Sequence, residues 1–161
     1  MESRTGHRPG GNTVSLRMTA SAAEVFAVLG NGWLYPSWVV GASRMREVDE
    51  DWPLPRSELH HSFGVWPLLI NDTTTALEWQ YGRRLVLRAR GWPVGEATVV
   101  ITLEPIPDGC VVSIDEDVAA GPGLAVLAPV RRGLLRVRNR EALRRLRFLA
   151  EGAAGTYEDQ A

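Results

Sequence analysis

An α+β domain, an antiparallel sheet with a long helix laid over one face, is predicted by three features of this chain. Its elements run in the order strand, short helical segment, series of strands and long C-terminal helix, all between Val14 and Leu149. Its strands have two distinct faces. Leu85, Leu87 and Ala89 alternate with Arg84, Arg88 and Arg90, and Ala97, Val99, Ile101 and Leu103 alternate with Glu96, Thr98, Thr102 and Glu104, so the sheet is apolar on one side only. The last helix carries the matching stripe, Leu135, Asn139, Ala142, Leu146 and Leu149 in 4-3-4-3 spacing.

Each element has a local cause. Residues 1–12 are expected to be a disordered tail, because Gly6, Pro9, Gly10 and Gly11 accompany almost nothing that can be buried. The domain is read as residues 13–152. Val14, Leu16 and Met18 alternate with polar neighbours as in a half-buried strand, and Ser21 with Glu24 three residues later makes a capping box that opens a helix to about Leu29. Asn31 to Gly41 opens on an Asn-Gly turn signal and reads as a second helical turn or an ordered loop; it carries Trp33, Tyr35 and Trp38 around Pro36. Strands are then predicted over 43–48, 58–65, 69–79, 84–91, 96–104 and 110–117, with Asp108-Gly109 turning the chain into the last. The long helix is expected from about Gly123 to Ala150, with Pro129 kinking it or marking its true start. Residues 153–161 read as a flexible C-terminal tail.

Composition excludes several classes of function. The 161 residues, 45% of them hydrophobic, suffice for one core and leave little room for a second. A formal charge of -1 argues against the electrostatic excess that drives non-specific nucleic-acid binding, so nucleic acid is not an expected partner. The single cysteine, Cys110, lies in an apolar strand and can form neither an internal disulfide nor a cysteine cluster. With no apolar core of a signal peptide and no run of about 18 apolar residues, the protein is expected in the cytoplasm without integral membrane association. All 18 basic residues are arginine.

Ala23-Glu24-Val25-Phe26, Tyr35-Pro36-Ser37-Trp38, Leu103-Glu104-Pro105 and Asp108-Gly109-Cys110-Val111-Val112 carry a resemblance that covers nearly the whole chain after Thr13. With the element order, they resemble the SRPBCC superfamily, also called START-like or Bet v 1-like, and within it the bacterial polyketide cyclase/dehydrase-like group. The resemblance implies a helix-grip fold: a curved antiparallel sheet wrapped around the long C-terminal helix, with short helices after the first strand and an elongated, mostly apolar cavity inside. Members use that cavity as carriers, sensors or enzymes. Gly109-Cys110 stands where the group commonly has Gly-Thr, a change expected to alter packing more than chemistry.

Candidate residues follow from parity and stripe position. His60 and His61 point to opposite faces of their strand and cannot jointly chelate a metal; no metal and no cofactor is expected. His61 shares the parity of Leu59, Phe63 and Val65, so it either faces the cavity as a proton donor or acceptor or is satisfied within the core. Glu116 has the parity of Val112 and Ile114 and enters the cavity unless the sheet ends first and leaves Asp115-Glu116-Asp117 solvated. Asn139 interrupts the apolar stripe, where a buried amide needs a partner from protein, water or ligand. Trp38, with Trp33 and Tyr35, forms a cavity mouth or packs in the core. The arginines of the last helix make a basic surface for an acidic partner or anionic lipid, or simply a solvated face.

Three functions stay open on this reading. The first is binding of a hydrophobic small molecule (lipid, polyketide or aromatic metabolite) with Trp38, His61 and Asn139 lining or gating the cavity. The second is a cyclase or dehydratase with His61 and Glu116 as a proton-transfer pair. The third is an interaction module using the arginine-rich helix; a homodimer is also left open.

Overall fold

Alternation along the strands becomes a seven-stranded, curved antiparallel sheet. The computed structural model describes residues 12–91, 95–121 and 127–158. Strand β1 (Val14–Met18) leads into α1 (Ala22–Gly30), a 3-10 turn (Gly32–Leu34) and α2 (Tyr35–Trp38). Six strands follow, β2 (Ala42–Val48), β3 (Glu58–Val65), β4 (Leu68–Gln80), β5 (Arg84–Gly91), β6 (Gly95–Ile106) and β7 (Gly109–Ala120), and then α3 (Ala128–Glu158). The sheet order is β1-β7-β6-β5-β4-β3-β2, so β2 to β7 form a meander and β1 is added beside β7. Register shifts between Ala42 and Arg44, Met45 and Glu47, Ala76 and Glu78, and Glu96 and Ala97 add the bends that an extra residue on one strand produces.

The corner after β1 forms as its capping box predicts. Ser21 Oγ accepts from the Glu24 amide, while the Glu24 carboxylate accepts from the Ser21 amide at 2.7 Å. Asn31 ends α1 and caps the next turn, its side chain accepting from the Trp33 amide at 3.2 Å. The Asn31–Gly41 segment is therefore helical in two short pieces rather than a loop.

The long helix differs from its expected limits at both ends. It begins at Ala128 and places Pro129 in the first turn, where a missing N–H costs no hydrogen bond. The expected start at Gly123 lies outside the described residues, and Leu127 is not helical. Its backbone continues through Glu158, past Gly152, because Ala153 and Ala154 are strong helix formers that carry the helix over the intervening glycines. The expected tail at residues 1–11 and the last residues, 159–161, lie outside the described residues.

The core gathers at one end of the sheet. Leu143, Leu146 and Ala150 of α3 are fully buried in one cluster with Met18, Val25, Phe26, Leu85, Ile101 and Cys110. The Thr19 amide donates to the Glu151 carboxylate at 2.8 Å, fastening that end of α3 to the β1–α1 corner. Burial, more than the nearby Glu24 charge, pushes the Cys110 thiol up, so it sits there as a small apolar side chain.

Gly109, at the β6–β7 turn, has φ of +134°, and a Cβ there would overlap the carbonyl oxygen of Met18. Both the backbone conformation and the close approach require glycine. Gly109→Ala is expected to lower the unfolding free energy by about 2 kcal/mol or more, read from urea denaturation.

Candidate functional site

The opposite half of the molecule does not close. A cavity of about 140 Å³ lies between the N-terminal half of α3 and the inner face of β3 to β7, well above the roughly 10–15 Å³ that one water needs. Its walls are largely apolar, with Val39, Val40, Phe63, Leu87, Val99 and Ile114 among them. Small residues open the space: Ala89 and Ala97 are cross-strand partners on the cavity wall, and Ala142 faces them from α3.

Polar side chains reach this apolar space through strand parity and helix stripe. On β3, Leu59, His61 and Phe63 share the inner face, and register sets Thr74 opposite Leu59 and Asp72 opposite His61. Strand β7 continues to Ala120, so Glu116 follows Ile114 inward and is only 3% exposed. On α3, Leu135, Arg138, Asn139 and Ala142 fall at i, i+3, i+4 and i+7, and all four line the cavity.

Tyr35, Thr74 and His61 form one hydrogen-bonded chain. Thr74 Oγ1 lies 2.9 Å from Tyr35 Oη and 3.0 Å from His61 Nε2. When the phenol donates to Thr74 and Thr74 donates to Nε2, both hydroxyls and Nε2 are satisfied and the neutral imidazole keeps its proton on Nδ1. Nδ1 has no hydrogen-bond partner among the described residues. Burial lowers the His61 pKa to about 4; the Ser62 backbone works the other way, and the Arg46 and His60 charges add smaller downward effects. Burial likewise pushes Tyr35 up to about 12, against the opposing effect of its bond to Thr74. The Tyr35 ring lies against His61 at 5.0 Å, tilted by 36°, and meets Trp38 edge-on at 5.5 Å, making one continuous wall.

Three further groups complete the site. Asp72, buried beside this wall, has its carboxyl pushed up to about 6 by desolvation, with the Thr73 amide and the Arg90 charge opposing. Glu116 pairs with Arg138, whose side chain is 35% exposed, so the ion pair ties β7 to α3 with one partner in the wall and the other reaching solvent. Asn139 is buried, and its Nδ2 has no hydrogen-bond partner among the described residues.

Tyr35, Trp38, His61, Glu116 and Asn139 thus meet around one cavity. Trp33 does not: it is 60% exposed and borders a shallow depression with Trp52 instead. The physical reason is the change of helix type, since Tyr35 and Trp38 share a face of α2 whereas Trp33 belongs to the preceding 3-10 turn. His60 points outward, toward Thr73 and Glu58. Sequence reading missed Thr74, Asp72 and Arg138. Arg138 had a signal, being three residues after Leu135 and four before Ala142 on the stripe; Asp72 and Thr74 had none until the β3–β4 register set them opposite His61 and Leu59.

Comparison with known proteins agrees with this geometry. The family described as polyketide cyclase/dehydrase and lipid transport matches residues 12–151. Protein NE0264 from Nitrosomonas europaea superimposes with a TM-score of 0.69 at 17% identity, over 89% of this chain and 95% of that one. The di-domain ARO/CYC StfQ from the steffimycin biosynthetic pathway superimposes with a TM-score of 0.69 at 14% identity, over 89% of this chain, which spans only 51% of StfQ. Ara h 8.0201 gives 0.67 at 10% identity, over 87% of this chain and 96% of that one. Such identities establish a shared helix-grip fold and nothing finer. No curated protein matches the chain.

Two expected outcomes test the polar wall. Thr74→Val strips both His61 Nε2 and Tyr35 Oη of their partner and should cost about 2–4 kcal/mol in urea denaturation, whereas Tyr35→Phe, which leaves the Thr74–His61 bond, should cost about 1 kcal/mol. The second outcome concerns pH. His61 titrates at 6.5 when unfolded and about 4 when folded, so the unfolded chain binds more protons and stability rises with pH across that window. Asp72 moves from 3.8 to about 6, so the folded chain binds more protons and stability falls as pH rises through that range. The two slopes oppose. Relative to wild type, Asp72→Asn should make the thermal midpoint climb with pH between about 4 and 6, and His61→Gln should make it decline.

Proposed function

Because the chain belongs to the polyketide cyclase/dehydrase and lipid transport family, we propose that it binds a hydrophobic small molecule, a lipid, polyketide or aromatic metabolite, in the cavity between sheet and α3. The observation that carries this reading is a cavity with apolar walls and two buried nitrogens around it, His61 Nδ1 and Asn139 Nδ2, that have no hydrogen-bond partner among the described residues. Apolar area favours any hydrophobic guest, while a guest with a carbonyl or hydroxyl satisfies groups that otherwise lack a partner. Trp38 and Tyr35 supply aromatic surface, and Asn139 orients the polar end.

A second reading, a cyclase or dehydratase moving a proton on an enolisable substrate, is favoured by His61 and Glu116 lying around the same cavity. Within that reading Glu116 is held by Arg138, so Asp72, with its carboxyl near 6 and opposite His61, is the better-matched acid or base.

Native mass spectrometry of freshly purified protein and a thermal-shift panel of lipids, polyketide mimics and aromatic acids test the binding reading. A ligand at a hundredfold its Kd should add about 2.7 kcal/mol of stability. Asn139→Leu should abolish the shift given by ligands bearing a carbonyl while sparing that given by plain hydrocarbons. A clean apo mass together with no shift across the panel would sink the proposal.

A further inference from the structure

The N-terminal half of α3 is apolar on two faces. One lines the cavity; the other, carrying Val130, Leu134 and Val137 in 4-3 spacing with Leu127 just before the helix, points outward and is uncovered, Leu134 being 66% exposed. A soluble helix normally leaves polar residues there.

Charge beside this stripe is one-sided. Between residues 128 and 150 the helix holds eight arginines and a single acidic residue, Glu141. Arg140 and Arg144 are exposed on the flank of the stripe, whereas Arg138, Arg145 and Arg147 are engaged by Glu116, Glu141 and Glu151. A second copy packing through the same stripe would set arginines against arginines, at a repulsive cost. Nucleic acid would satisfy the guanidinium groups but gain nothing from exposed valine and leucine. A surface with anionic headgroups over hydrocarbon matches both halves of the pattern.

A second element shares this end of the molecule. Antiparallel register places the β3–β4 turn, the end of β5, the start of β6 and the end of β7 together, at the end from which the chain leads into α3. Trp66 and Leu68 flank the β3–β4 turn and are about 80% exposed. Gly95 and Glu96, the first residues of β6, line the cavity, so the cavity extends toward the same end.

We propose that the outward stripe of α3 docks this domain on the surface of an anionic lipid bilayer, with Val130, Leu134 and Val137 entering the interface and the flanking arginines resting on headgroups. The docking is peripheral, since no helix among the described residues is long and apolar enough to cross a membrane. It does not depend on what the cavity binds.

The test is co-sedimentation of the full chain with vesicles of phosphatidylcholine alone or mixed with phosphatidylglycerol. Wild type should bind the anionic vesicles at least about tenfold more tightly than the neutral ones, and more weakly as salt rises. The double variant L134E/V137E, altered only at exposed positions, should lose about tenfold or more of that binding with its unfolding midpoint unchanged. R140E/R144E should remove the preference for anionic vesicles. Three results would overturn the proposal: no co-sedimentation of wild type with either vesicle, undiminished binding by L134E/V137E, or a wild-type dimer in light scattering that L134E/V137E converts to monomer. The last would assign the stripe to a second copy of the chain.

Discussion

The seating of the C-terminal half of α3 is the contact on which the rest depends. Leu143, Leu146 and Ala150 are fully buried in the same cluster as Met18, Phe26, Leu85 and Ile101, and burial of this kind contributes about 1.5–3 kcal/mol for each large side chain. The Thr19–Glu151 hydrogen bond fastens the same region. With one half of a rigid rod anchored, the direction of the other half is set, and it passes over strands that carry small residues among their inward side chains. Ala89 and Ala97 pair across β5 and β6, and Ala142 faces them. Small side chains along two strands and one helix leave room there, and the same residues placed under Leu146 would have destabilised the anchor instead.

Polar groups in such a space are costly unless partnered, and the cavity handles them in two ways. On the β3–β4 side Tyr35, Thr74 and a neutral His61 form one hydrogen-bonded chain, and desolvation carries the Asp72 carboxyl up to about 6, which leaves it mostly ionised at neutral pH. On the β7–α3 side the charges are kept and paired, Glu116 with Arg138. This pair joins the half-free part of α3 to the sheet, and because the Arg138 side chain is partly exposed, its guanidinium escapes much of the desolvation that a fully buried ion pair suffers. A guest in the cavity therefore meets neutral hydrogen-bonding groups and the Asp72 carboxyl on one side and an internally compensated ion pair on the other.

How far residue order reveals such a site depends on the range of the interactions involved. Alternation of period two placed His61 and Glu116 on the inner face, and stripe position placed Asn139 there, because side-chain direction in a strand or helix is a local property. The capping box at Ser21 and the turn at Asp108-Gly109 were readable for the same reason. Trp33 misled because three aromatic residues within six positions resemble one cluster, whereas the switch from a 3-10 turn to α2 rotates it outward. Arg138 lies beside the stripe, but its charge points to the arginine-rich surface, and only its partner Glu116, distant in sequence, turns it toward the cavity.

Sequence alone determined what local geometry determines: strand faces, caps, turns, the inward stripe of α3 and the family to which they point. Tertiary structure decided which inward residues meet. The β3–β4 register brought Asp72 opposite His61 and Thr74 opposite Leu59, α2 brought Tyr35 against Thr74, and the crossing of α3 brought Arg138 to Glu116 and left Ala142 over a gap. Those meetings join residues far apart in the chain, and the desolvation they produce moved His61, Asp72 and Tyr35 from their ordinary protonation ranges. Periodicity carries no information about them, because it describes where a side chain points and not what stands opposite it.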